Sequence, residues 1–135
     1  MDFQGNHPLI EYVKSGKPGR EERVGVLIAM LHPIERDRVL VGFSKCNMKM
    51  DKFSKKIGLQ IAFGRAISFS TKPLKITPIN GRLELRYGTS IEGESFYALP
   101  IPYIIRINMR SFIERARKYF NKDGEKKFPE WVDAF

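Results

Sequence analysis

Cys46 is the chain's single cysteine, with Lys45 beside it and Lys49 close by, and neighbouring cations favour the thiolate that makes a nucleophile. A nucleophile also needs a base. His7 and His32 are the two histidines, both distant in sequence and each followed directly by proline in a turn context. A Cys-His pair therefore has no motif behind it, and a half-buried structural thiol is the plainer reading. One thiol and two scattered imidazoles match none of the usual zinc spacings, so no metal is expected. Glu84, Glu92 and Glu94 lack a partner pattern for acid-base work and read as solvated surface. Gly16-Lys17-Pro18-Gly19-Arg20 and Phe63-Gly64-Arg65-Ala66 match neither the phosphate loop nor the dinucleotide fingerprint, and are turn and packing signals first. The expectation is a non-enzymatic chain without a cofactor.

Charge is the stronger signal. The net +9 is uneven: Lys45 to Lys75 holds eight basic residues against one acid, Asp51, or +7. Arg106 to Lys118 adds a net +4, with Arg110, Arg115 and Arg117 opposed by Glu114 alone, and the rest of the chain is close to neutral. Clustered cations attract polyanions, and each phosphate they neutralise releases condensed counterions. A solvated face that keeps the protein in solution is the alternative. Phe43, Tyr87 and Tyr97 are aromatics that could stack on unpaired bases, although aromatics on strands more often belong to the core.

The elements that must position these residues read as one α+β domain. An antiparallel sheet of about four or five strands is expected, with one buried helix and one amphipathic C-terminal helix. Residues 1–23 read as an irregular arm with a turn of helix or a short strand at Leu9–Val13, residues 24–120 as the α+β domain, and residues 121–135 as a polar tail anchored by Phe128, Trp131 and Phe135. Val24–Leu31 and Val39–Phe43 form a hairpin. The helix spans about 52–68 with Asp51 as its cap; Phe53, Ile57, Ile61 and Gly64 recur at helical spacing, and Leu59, Ala62, Phe63 and Ala66 add a second stripe, so it should be mostly buried. Lys52, Lys55, Lys56 and Gln60 fall on the remaining face, near the positive end of the helix dipole. Thr71–Gly81 is an extended connection ending in a turn, Arg82–Tyr87 and Ser95–Leu99 pair as strands, and Tyr103–Ile107 adds one more. The C-terminal helix spans about 109–120, capped by Asn108. The longest apolar run, Val24–Leu31, is eight residues, far short of the roughly 20 needed to span a bilayer. With no secretory pattern at Met1–Asn6 and no possible internal disulfide, the expected location is the cytoplasm, that of a host cell for a viral protein.

Val41-Gly42-Phe43-Ser44-Lys45-Cys46-Asn47, followed by Asp51-Lys52-Phe53-Ser54-Lys55-Lys56-Ile57-Gly58 and Ile61-Ala62-Phe63-Gly64-Arg65-Ala66, resembles a pattern in small uncharacterised proteins of bacteriophages. The resemblance implies a viral origin and no particular activity. It draws attention to Ser44, Cys46, Asn47 and Asp51, read either as part of a site or as the turn and cap of a folding nucleus. Two functions follow. The first is association with DNA or RNA through Lys45, Lys49, Lys52, Lys55, Lys56 and Arg65, extended by Arg110, Arg115 and Arg117. The second is binding of a host or phage protein through the same surface or through the Trp131-bearing tail.

Overall fold

An apolar run with no polar interruption can be a strand only if both of its faces are covered, and Val24–Leu31 meets that condition. The computed structural model describes residues 7–48, 52–71, 74–79, 82–89 and 95–135. In it β1 (Leu9–Ser15), β2 (Glu22–Leu31) and β3 (Val39–Lys45) form an antiparallel meander with β2 at its centre. Helix α1 (Lys55–Thr71) covers one face of this sheet and α2 (Tyr103–Phe120) the other. Strands β4 (Leu74–Ile79), β5 (Arg82–Thr89) and β6 (Ser95–Pro100) form a second antiparallel sheet in sequential order. The α+β class and the 24–45 hairpin are thus as expected, with six strands in two sheets among the described residues. The segment expected to be an irregular arm supplies the edge strand β1, paired with β2 from Leu9↔Ala29 to Ser15↔Glu22.

The alternation of β2 and β3 divides the core. Val26, Ile28, Met30 and Leu40 meet Ala62 and Ala66 of α1, while Leu27, Ala29, Val39, Val41 and Phe43 join α2 in the larger cluster. The second sheet adds Ile76, Leu83, Leu85 and Leu99 to that larger cluster. Gly42 sets the approach of α1. A Cβ there would lie 2.2 Å from the Ala62 carbonyl oxygen and 2.8 Å from the Ala66 nitrogen, both backbone atoms that cannot yield without moving the helix. Gly42→Ala is therefore expected to lower stability by about 3 kcal/mol, near the top of the overpacking range, as measured by urea unfolding.

That contact also selects the buried side of α1. Ala62, Ala66 and Phe69 face inward, and Ile57 and Ile61 are 58% and 43% exposed. The helix expected to be mostly buried is buried along one side only. It starts at Lys55 rather than near residue 52, and its cap is Ser54, whose Oγ accepts the Ile57 N–H at 3.3 Å and whose carbonyl accepts the Gly58 N–H at 2.9 Å. Asp51, the expected cap, lies outside the described residues.

Helix α2 buries Ile105, Met109, Phe112, Ile113, Ala116 and Phe120, a stripe repeating every three or four residues. It begins six residues before the expected start: residues 103–107, read as a strand, are its first turns, with Pro102 at the N-cap. Proline's fixed φ and missing N–H cost nothing at a helix start. Asn108, expected as the cap, sits inside the helix and donates from Nδ2 to the Ile104 carbonyl at 2.7 Å.

The tail folds back. Val39 donates its N–H to the Lys127 carbonyl at 2.8 Å, Lys127 donates to the Asp37 carbonyl at 2.7 Å, and a 3-10 turn at Glu130–Ala134 buries Trp131 and Val132. The Trp131 ring lies 5.7 Å from Phe69, 6.5 Å from Phe43 and 6.1 Å from Phe135, centroid to centroid. Trp131 is thus packed into the molecule's own core.

Candidate functional site

The stretch from Ser44 to Gly58 carries the chain out of β3 and into α1, and the two ends are tied together. Ser44, buried on the α1 face of β3, donates from Oγ to the Gly58 carbonyl at 2.7 Å. Gly58 permits this closeness, because a Cβ there would sit 3.0 Å from Val26 and 3.1 Å from the Phe53 ring. Ser44 is thus a fastener between strand and helix. Cys46 continues the ladder, its N–H donating to the Val24 carbonyl at 2.8 Å. Lys45 is exposed, with Nζ donating to the Cys46 carbonyl at 3.2 Å, and Asn47 is exposed after it.

Between the end of β3 and the start of α1 lies a cavity of about 360 Å³, lined by Lys45, Cys46, Asn47, Lys52, Phe53, Ile57 and Ile61 among others. Its lining combines two cations, Lys45 and Lys52, with the apolar side chains of Phe53, Ile57 and Ile61. Lys52 is exposed in its lining, Lys55 and Lys56 are exposed on the adjoining first turn of α1, and none of the three belongs to an ion pair among the described residues. Arg23, which sequence reading passed over, joins them. Its guanidinium lies 5.5 Å from the centroid of the Tyr12 ring, and the Lys55 ammonium 5.3 Å from the same centroid. Tyr12 in turn packs edge-on against Phe53 at 6.3 Å. The strand alternation that places Tyr12 with Val26 on the α1 face was a usable sign. The neighbourhood of Arg23 and Lys55, far apart in the chain, was not.

The other predicted contacts divide. Lys49 and Asp51 lie outside the described residues. Arg65 is engaged with β3, donating to the Phe43 carbonyl at 3.1 Å with its guanidinium 5.7 Å from that ring. Phe43, a candidate stacking ring, is 1% exposed and belongs to the core. Tyr87 and Tyr97 are backbone register partners in β5 and β6.

The arginines of α2 do not extend the lysine cluster, because α1 and α2 lie on opposite faces of the first sheet. Three of them have carboxylate partners: Arg110 has Glu114 at 3.8 Å, Arg115 has Glu11, and Arg117 has Asp133 at 3.1 Å, with Arg117 also over the Phe128 ring.

No family model, curated protein or solved structure matches the chain. The site has to be read from its own chemistry.

The Cys-His pair is not assembled. His32 follows β2 where Leu31 pairs with Val39, and Cys46 follows the opposite end of β3; at ~3.3 Å per residue these ends are roughly 20 Å apart. His32 is occupied as a turn former, its Nδ1 accepting the N–H groups of Ile34 and Glu35 at 3.1 and 2.9 Å. In that turn the Arg38 guanidinium bonds the Glu35 carboxylate and holds its pKa below the usual carboxylate value. His7 precedes Leu9, which pairs with Ala29, whereas Cys46 is bonded beside Val24 at the far end of the same strand. Among the described residues no group of three or more His, Cys, Asp or Glu could hold a metal ion, and no helix is long and apolar enough to cross a membrane.

Proposed function

We propose that this chain is a small, non-enzymatic nucleic-acid-binding protein of bacteriophage type, acting in the host cytoplasm. It holds phosphates on Lys45, Lys52, Lys55, Lys56 and Arg23. The observation that carries this reading is the contrast between the two basic clusters: Arg110, Arg115 and Arg117 of α2 have carboxylate partners, and Lys52, Lys55 and Lys56 at the start of α1 have none among the described residues. An ammonium left without a protein counter-ion is free to exchange its solution counter-ion for phosphate, and the gain comes from the cations released along the nucleic acid. The resemblance of the Val41–Ala66 stretch to bacteriophage proteins points to the same part of the surface.

Fluorescence anisotropy with a labelled oligonucleotide, repeated over a range of salt concentrations, tests the reading. For four or five phosphates the plot of log K against log salt should fall with a slope of about −3 to −4.5. A flat response, or no binding at low salt, would remove the proposal. A polyglutamate of matching charge that competes as well as the oligonucleotide would assign the surface to an acidic protein partner instead.

A further inference from the structure

We infer that the cavity between β3 and α1 takes one unstacked base of a single strand while the neighbouring lysines hold the adjoining phosphates. The inference rests on the phosphate-binding reading and adds to it a preference for single-stranded over duplex nucleic acid.

Phosphate binding needs cations and no hollow, yet two of these cations, Lys45 and Lys52, line one. Its volume of about 360 Å³ lies within the range of small-molecule pockets, roughly 300–1,000 Å³. Its apolar wall is Phe53, Ile57 and Ile61. Ile57 and Ile61 are 58% and 43% exposed although both line the cavity, and a helix position so open to water more often carries a polar side chain. An exposed apolar wall beside lysines matches a ligand that is flat and apolar at one end and anionic at the other. A nucleotide with its base turned out is such a ligand. In a duplex the bases are stacked and paired, and only the phosphates and groove edges would face this surface. Another cavity, lined by Lys45, Pro102, Tyr103 and Ile104 among others, is wider and counts the acidic residue Glu22 in its lining, a poorer match to an anion. Recognition through an open apolar wall should be tolerant of base identity, because every base has a face to present.

The test compares three labelled probes by anisotropy: a short oligothymidylate, a strand of the same length with abasic sites in place of the bases, and a duplex of that length. The oligothymidylate should bind at least about fivefold more tightly than the abasic strand, the lower end of what contact with one base supplies, and more tightly than the duplex. The double variant Ile57→Ser, Ile61→Ser should lower thymidylate binding to the abasic level and leave abasic binding unchanged. Both side chains are exposed, so the fold should persist, as circular dichroism would register. Equal, salt-dependent binding of all three probes would overturn base capture and leave phosphate binding standing. Binding of none would overturn both.

Discussion

Replacing Lys55 and Lys56 together by glutamate is expected to weaken oligonucleotide binding by about a hundredfold at low salt, since a charge-assisted contact contributes about 1.5–3 kcal/mol and each tenfold in affinity is about 1.4 kcal/mol. The slope of log K against log salt should become shallower by ~1.5, two phosphates' worth of released counterions. Both side chains are exposed on the first turn of α1, where the helix dipole favours acids, so the protein should stay folded and gain slightly in stability. The control is Arg110→Gln with Arg117→Gln, on the opposite face of the sheet. There binding should change less than twofold, because those guanidinium groups already have carboxylate partners. The lysine pair changes the charge by −4 and the arginine pair by −2, so an arginine effect about half as large in log K would mean that net charge alone governs binding.

Trp131→Ala is expected to cost about 3–5 kcal/mol, the range for emptying a buried aromatic site. Trp131 is 7% exposed and touches the rings of Phe43, Phe69 and Phe135, so its loss would empty the space where β3, the end of α1 and the tail meet. Trp131→Phe should cost much less. It keeps most of the apolar volume and removes an indole N–H that is buried without an acceptor among the described residues. Urea unfolding would show a large drop in midpoint for alanine and a small one for phenylalanine. Similar small drops would mean that the tail is not part of the core in solution. Removing residues 121–135 should unfold the domain, so deletion of the tail reports on stability and not on partner binding.

The hairpin of β2 and β3 was legible because its signals are local: an unbroken apolar run, a charged turn, and a second run of the same kind. The amphipathic stripe of α2 was legible for the same reason. Its start was not, since Ile104, Ile105 and Ile107 favour strand by local propensity, and the turn is held helical by the packing of Ile104 and Ile105, the latter fully buried. Helix α1 carries two apolar stripes, and local pattern could not choose between them. The choice is made by Gly42, a residue of a different element, which lets Ala62 and Ala66 come close and leaves Ile57 and Ile61 outside. That one non-local contact creates the exposed apolar wall of the site. Clustering of lysines at residues 52–56 was visible as a count of charges. The pairing of Arg115 and Arg117 was not, because Glu11 and Asp133 come from opposite ends of the chain.

Two-dimensional NMR of the labelled protein, titrated with a short oligothymidylate, locates the contact most directly. Amide shifts should concentrate at Arg23, Lys45–Asn47 and Lys52–Gly58, and the amides of Arg110–Arg117 should stay in place. Shifts centred on α2, or an unchanged spectrum at saturating oligonucleotide, would contradict phosphate binding by the lysines at the start of α1.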